Sequence, residues 1–275
     1  MTASAAPAKI NLTLRVLGKR ADGFHEIETL IVPIGLADRL TIREAKEWNF
    51  SCNDPSVPGD DSNLVVRAAR LFFAETGMKD AIEVRLIKAI PHGAGLGGGS
   101  SDAAAALRML DDFYGTGLPR ETLLRLAAEL GSDVPVFVDG RAAWCRGCGE
   151  IVETADFATQ LPVLLLKPGF GVPTPWAYKQ WKDSRPLEGV RYEGQGFPWG
   201  RLENDLERPV FEKYPVLAAM KEWLREQPET AGALMAGSGS TMFAVLREAG
   251  LGETMSERAR QRFGAGLWTC ETLAG

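Results

Sequence analysis

Histidine is almost absent from this chain: 275 residues hold two, His25 and His92. Cysteine is scarce too, with four, at 52, 145, 148 and 270, and a single C-x-x-C match, Cys145-Arg146-Gly147-Cys148. Without a second pair at useful spacing, and with so few imidazoles, a structural zinc site has no ligand set. A thioredoxin-like pair belongs at a helix N-terminus within a βαβ unit. Here residues 141–144 and 149–151 read as strand and turn, so free thiols are expected. No apolar run approaches the ~20 residues of a membrane span. The first seven residues lack the basic start and apolar core of a secretion signal. The chain therefore reads as cytoplasmic, with no membrane partner. A formal charge of -5 gives no support for a nucleic-acid partner, although it leaves local basic patches open. Internal repeats, heptads and low-complexity tails are missing as well.

What is present suits a soluble enzyme. A hydrophobic content of 45% supports a real core. The length exceeds the ~100–200 residues usual for one domain, so two are expected. Strand patterns occupy 10–17, 26–30 and 39–44, with turns expected at 18–23 and 35–38. Residues 63–76 form an amphipathic helix, and 82–87 a strand that leads into a glycine-rich loop. A helix opening near Ser100 and a second over 118–130 come next, then short strands at 135–138 and 142–145. A new strand–helix set starts at 161–166, and the loop 183–200 interrupts it. It resumes with helices at 217–226 and 256–263 around a strand at 242–246. This hairpin-bearing order indicates an α+β fold rather than an alternating βαβ sheet. The division falls near 156, giving domains 1–156 and 157–275.

The glycine-rich loop carries the strongest chemical signal. Pro91-His92-Gly93-Ala94-Gly95-Leu96-Gly97-Gly98-Gly99-Ser100-Ser101-Asp102 runs from a strand into a strong helix former. Glycines let backbone N–H groups converge, and a helix start adds unpaired donors and the positive end of its dipole, which together cradle phosphate. Gly93-x-Gly95-x-x-Gly98 satisfies the dinucleotide fingerprint. That fingerprint also needs a further strand ending in an acid, and a second helix stands there instead. The Walker pattern fails for want of Gly-Lys-Ser/Thr. A ligand-free turn with Ser100, Ser101 and Asp102 as helix caps stays open at this point.

Two charged residues stand out once phosphate is present. Lys9 sits among apolar neighbours at a strand entry, and Asp133 lies between a turn glycine and an apolar run. By themselves they read as a solvated strand end and a turn residue. Phosphoryl transfer to an alcohol gives them another reading, since it needs a carboxylate beside the hydroxyl and a cation near the moving group.

The loop resembles the second motif of the GHMP small-molecule kinases. Other blocks resemble the branch of that family acting on a cytidine-diphosphate-linked methylerythritol: Pro7-Ala8-Lys9-Ile10-Asn11-Leu12 with Arg20-Ala21-Asp22-Gly23-Phe24-His25, Gly131-Ser132-Asp133-Val134-Pro135, and Pro168-Gly169-Phe170-Gly171-Val172-Pro173-Thr174-Pro175. Asn63–Ala69 and Asn204-Asp205-Leu206-Glu207 also fit, and Gly237-Ser238-Gly239-Ser240 resembles the third motif. The matches span nearly the whole chain in the expected order.

The resemblance implies a ribosomal protein S5 domain 2-like N-terminal domain for ATP and a ferredoxin-like C-terminal domain on the substrate side. It implies ATP-dependent phosphorylation of the substrate's 2-hydroxyl in the non-mevalonate route to isoprenoids, by a monomer or homodimer. Homoserine- or mevalonate-type kinase activity is the alternative. Lys9 and Asp133 match the catalytic pair. Pro91, Gly93, Gly95, Leu96, Gly97, Gly98, Gly99, Ser100 and Ser101 match the triphosphate loop, with Ser101 near Mg2+. Asn63 and Lys88 match the adenosine site. Phe24 and Tyr178 match aromatics that sandwich cytosine, His25 the residue on its edge, and Asn11 and Thr174 positions near the methylerythritol. Family members often carry Tyr where this chain has Phe24, so stacking is retained and a hydroxyl is lost.

Overall fold

The computed structural model describes residues 2–275. Its first elements are β1 (Thr2–Lys19), β2 (His25–Glu44), β3 (Asn49–Cys52), α1 (Leu64–Thr76), β4 (Ile82–Ile87), α2 (Gly98–Tyr114), α3 (Arg120–Leu130) and the single turn α4 (Val136–Asp139). There follow β5 (Ala143–Gly147), β6 (Ile151–Thr154), β7 (Leu161–Lys167), α5 (Thr174–Gln180), β8 (Gln195–Phe197), β9 (Gly200–Asn204) and α6 (Glu207–Lys213). The last are α7 (Pro215–Glu226), β10 (Thr230–Met235), β11 (Met242–Leu246), α8 (Gly252–Phe263) and β12 (Trp268–Ala274). The content is α+β, as expected. Two units interleave along the chain: one takes residues up to Ala8 with Leu36–Pro91 and Gly97–Arg141, the other Lys9–Gly35, His92–Leu96 and Ala142–Gly275.

In the first unit, β4 alternates buried Ile82, Val84 and Leu86 with more exposed Glu83, Arg85 and Ile87, the period of a one-sided strand. It pairs antiparallel with the second half of β2, from Arg39↔Ile87 to Glu44↔Ile82, and parallel with β3. Helix α1 begins at Asn63, whose Oδ1 accepts from the Val65 N–H at 2.8 Å, and ends at Gly77 in the left-handed region. It buries Val65, Ala68, Ala69 and Phe72, and packs on α2, whose small residues Ala103–Ala106 are wholly buried. Their lack of bulk permits close helix approach.

Three charges fix the start of α2. Lys88, just past β4, donates from Nζ to Asp102 Oδ2 of α2 at 2.7 Å and to Asp38 Oδ2 of β2. The other oxygen of Asp38 accepts the N–H groups of Ala89 (2.6 Å) and Ile90 (2.9 Å). The Lys88 ammonium lies 3.3 Å from where a Cβ on Gly98 would stand, directly beside the first turn of α2. Burial opposes its charge, but Asp102 and Asp38 outweigh that and raise its pKa. Asp102 is raised as well, for a different reason: burial pushes it up to about 7, against the pull of Lys88 and with help from the Asp38 charge. Two carboxylates and one ammonium carry a net negative charge in a dry place, and a proton on Asp102 relieves it.

The second unit holds the sheet order β10-β11-β7-β12-β2-β1-β9-β8. Strands β10, β11, β7 and β12 are antiparallel neighbours, whereas β1 meets β9 in parallel at Thr13↔Glu203 and Leu14↔Asn204. Leu164, Leu166, Phe211, Leu217, Met220, Ala233 and Met235 form its core beneath α6, α7 and α8. The first half of β2 pairs with β5, from Ile27↔Gly147 to Ile31↔Ala143.

Several sequence expectations change. The turn expected at 35–38 does not exist, because β2 runs unbroken from His25 to Glu44. Gly35 is there for space: a Cβ would lie 2.9 Å from Thr272 Oγ1. Residues 135–138 are not a strand. Pro135 adopts helical angles (φ -56°, ψ -37°) and opens α4, which Gly140 closes at φ 62°. Ser100, Ser101 and Asp102 do not cap α2, whose N-cap is Gly97 with no side-chain bond. Among the described residues no cysteine forms a disulfide.

The raised Asp102 pKa means that the folded state binds a proton more tightly than the unfolded chain between pH 3.8 and about 7. Its contribution to stability is present below that window and is lost as pH rises through it. Asp102→Asn should therefore gain stability relative to the parent protein on going from pH 5 to pH 8, read from urea-unfolding midpoints. No change in that difference between pH 5 and pH 8 would show that Lys88 holds Asp102 ionised throughout.

Candidate functional site

Gly93, Gly95 and Gly97 all have left-handed backbone angles, with φ of 60°, 76° and 70°. Such residues at alternate positions are the means by which successive N–H groups are turned toward an anion. Gly98 and Gly99 make the first turn of α2, followed by half-buried Ser100 and by Ser101, which is 1% exposed. The Ser101 hydroxyl and Asp102 Oδ1 are buried without hydrogen-bond partners among the described residues.

In the second unit, His92–Leu96 rests on two further glycine turns. A Cβ on Gly171 would lie 3.0 Å from the Gly93 oxygen. A Cβ on Gly95 would lie 2.2 Å from the Ala236 oxygen and 2.8 Å from that of Gly239. The Thr241 N–H donates to the Ala94 oxygen at 3.2 Å. Gly95 is thus glycine for its angle and for its lack of a side chain. Leu96 is buried, and its carbonyl accepts the Lys9 N–H at 3.0 Å.

Lys9 is not a solvated strand end; it is 4% exposed. Its Nζ donates to Gly95 O at 2.8 Å and to Asn11 Oδ1 at 2.6 Å. Asn11 is oriented in turn, since its Nδ2 donates to Thr29 Oγ1 at 2.8 Å, and that hydroxyl donates to Thr13 O at 2.6 Å. An ammonium removed from water needs oxygen ligands, and here a strand neighbour and the glycine loop supply them. Thr174, the first residue of α5, shares a 2.7 Å hydrogen bond with Ser238. Gly237 completes the group: a Cβ there would stand 3.0 Å from Lys9 Nζ.

The aromatic candidates lie in the same unit. Phe24 closes the 20–24 turn, its N–H bonded to Asp22 Oδ1 at 3.1 Å, and the residue is 58% exposed. His25 and Tyr178 hold their rings 5.5 Å apart at 30°, and Trp181 stands edge-on to His25 at 6.3 Å. Burial, then the Lys19 charge, lowers the His25 pKa, so its ring is neutral near pH 7. A cavity of about 360 Å³ lined by Thr13, Leu30, Trp144, Phe157 and Trp199 includes none of the expected site residues.

Asp133 belongs to the first unit, exposed on a turn closed by the Val134 N–H to Gly131 O bond of 3.1 Å. Buried Val134, Val136, Phe137 and Val138 anchor that turn. Asn63 and Lys88 are also in this unit, with side chains engaged in the α1 cap and the ion cluster. Pro91 is half-buried at its boundary. Lys9, Asn11, Gly95 and Thr174 are therefore brought together in one unit, and Asp133 and the start of α2 belong to the other. Sequence reasoning missed Trp181 and the partners of Lys88. Trp181 was findable, one helical turn beyond Tyr178.

Residues 63–141 match the GHMP kinases N terminal domain, and 196–265 the GHMP kinases C terminal domain. A 4-diphosphocytidyl-2-C-methyl-D-erythritol kinase from Methylacidiphilum infernorum is 43% identical, the match covering 96% of this chain and 94% of that one. The enzyme of the same name from Protochlamydia amoebophila is 39% identical, over 87% and 83%. A crystal structure of 4-(cytidine 5'-diphospho)-2C-methyl-D-erythritol kinase superposes with a TM-score of 0.79 at 34% identity, covering 100% and 99% of the two chains. Homoserine kinase from Cytophaga hutchinsonii, at 18% identity, TM-score 0.67 and coverage of 99% and 93%, shares the fold. Identity at this level over nearly the full length shows that the chain belongs to the 4-diphosphocytidyl-2-C-methyl-D-erythritol kinase family of GHMP kinases.

Proposed function

We propose that the protein transfers the γ-phosphoryl group of ATP to the 2-hydroxyl of 4-diphosphocytidyl-2-C-methyl-D-erythritol, giving the 2-phosphate and ADP in the methylerythritol phosphate route. The observation that carries this reading is the buried Lys9 ammonium bound to the carbonyl of Gly95. It places a fixed positive charge on a phosphate-type loop in a chain of this family. Homoserine and mevalonate have no base, and an aromatic cluster of His25, Tyr178 and Trp181 beside exposed Phe24 is of no use to them. Residues 1–156 are read as the ATP-binding half and 157–275 as the substrate-side half.

The triphosphate is held by backbone N–H groups from Gly93 to Ser101 and by the N-terminus of α2, where the helix dipole favours anions. Asn63 and Lys88 support the adenosine end through the positions of α1 and α2. Magnesium accompanying ATP needs only one or two protein oxygens, and the partnerless Ser101 hydroxyl is the oxygen that fits it. When bound, the ion supplies positive charge to the phosphate oxygens. Asp133 accepts or orients the proton of the attacking hydroxyl. Lys9 offsets charge on the phosphoryl oxygens. In-line positioning is worth up to ~7–11 kcal/mol in favourable cases, so it outweighs proton abstraction in a loose transition state. Phe24 and Tyr178 stack on cytosine, and neutral His25 offers one donor and one acceptor to its edge. Asn11 and Thr174 face the methylerythritol.

Asp133→Asn should leave ATP binding nearly intact and lower kcat by about a hundredfold or more, measured by coupled ADP release. Parent-like turnover in that variant removes Asp133 from the mechanism. Phe24→Ala and Tyr178→Ala should each raise KM for the cytidine-linked alcohol by roughly five- to a hundredfold, the worth of one stacked base, with KM for ATP unchanged. Unchanged alcohol affinity in both rejects the sandwich. ATP consumption with the cytidine-linked alcohol, homoserine and mevalonate tests the acceptor itself: activity confined to the first is expected, and preference for either other alcohol overturns the assignment.

A further inference from the structure

A fully buried ion pair lies behind the Gly237–Ser240 turn. Glu207 at the start of α6 and Lys221 of α7 are each 1% exposed and bond through Oε2 and Nζ at 2.5 Å. Removing two charges from water makes such a pair a poor source of net stability, so its other bonds matter more. The second oxygen of Glu207 accepts the Met235 N–H at 3.0 Å, and Lys221 also donates to Arg191 O at 2.8 Å. Burial pushes the Glu207 carboxyl upward, and the Lys221 ammonium beside it resists that.

Asn204 grips the same backbone from its carbonyl side. Its Nδ2 donates to both Met235 O and Gly237 O at 2.8 Å, while its Oδ1 accepts the Leu206 N–H at 2.9 Å. Only an amide satisfies this set: aspartate would turn a carboxylate toward two carbonyls. Beyond the gripped segment, the turn makes three contacts with the reaction machinery. Ser238 holds Thr174, the Ala236 and Gly239 backbone presses on Gly95, and Gly237 leaves room for Lys9 Nζ.

We propose that Asn204 and Glu207 are positioning residues for phosphoryl transfer, clamping Met235–Gly237 from both sides so that the following turn holds Gly95, Lys9 and Thr174 in register. Lys221 keeps Glu207 in place and ties the clamp to the 183–200 loop. The kinetic part of this inference rests on the kinase reading above.

Two double variants isolate the clamp: Glu207→Gln/Lys221→Met and Glu207→Leu/Lys221→Met. Both remove the buried charges, and they differ in whether an acceptor remains for the Met235 N–H. The leucine version should have kcat lower by about tenfold or more than the glutamine version, as misalignment at a reacting centre costs, with similar KM for ATP. Backbone hydrogen exchange at 235–240 should be faster in the leucine version only. Equal kcat and equal exchange, or a kcat difference that merely follows the thermal midpoint, overturns the proposal. If the leucine version fails to fold, Asn204→Asp carries the test: a kcat-selective loss with faster exchange at 235–240 supports the clamp, and parent-like values reject it. The exchange measurement needs no substrate, so a wrong acceptor alcohol would show as an inactive parent protein without altering that arm.

Discussion

A buried ammonium cannot be left to itself, and the arrangement around Lys9 follows from that constraint. Its charge is nearly out of water, so it must be met by oxygens held at hydrogen-bond distance. Asn11 supplies one and the Gly95 carbonyl the other. Meeting the second requirement fixes the path of the glycine loop, because turning Gly95 O toward Lys9 demands a backbone angle that disfavours side chains. Asn11 must likewise show its oxygen to Lys9, which Thr29 enforces by accepting from the amide nitrogen. One desolvated charge thus organises a strand, a loop and the hydroxyl network between β1 and β2.

Tight backbone contact is the second theme, and glycine makes it available. The loop meets the 237–240 turn where even a methyl group on Gly95 would overlap a carbonyl. Surfaces that meet backbone to backbone cannot yield by rotating a side chain, so displacement of one is passed to the other. That stiffness suits phosphoryl transfer, in which geometry contributes more than proton movement. Within the first unit, the start of α2 is tied by Lys88 to Asp38 and Asp102, an electrostatic fastening rather than a steric one.

Much of this was legible in residue order. The glycine-rich loop, the α1 helix and strand β4 all followed from pattern and motif. The failures have physical causes. Val136-Phe137-Val138 looks like a strand because a short apolar run has no readable period, and Pro135 with Gly140 confines it to one helical turn. The 35–38 segment looks like a turn because Gly-Leu-Ala-Asp has turn composition, whereas Gly35 answers to Thr272, a residue near the other end of the sequence. The partners of Lys88 and the Glu207–Lys221 pair are set by tertiary contact between segments far apart in sequence, and no local rule reveals them. Burial of Lys9 was hidden for the same reason.

The interleaving of the two units has a consequence for how the protein comes into being. Strand β1 carries Lys9 and Asn11, yet its parallel neighbour is β9, and β2 beside it takes a partner from β12 at Ile34↔Ala274. The turn that leaves room for Lys9 follows β10. A ribosome adding ~5–20 residues per second needs roughly ten to fifty seconds to travel from β1 to β12. Through that interval β2 can already pair with β4 and β5, but β1 lacks β9, β2 lacks β12 and the turn beside Lys9 does not yet exist. The surroundings of Lys9 are therefore completed last, when the end of the chain joins strands made at its beginning.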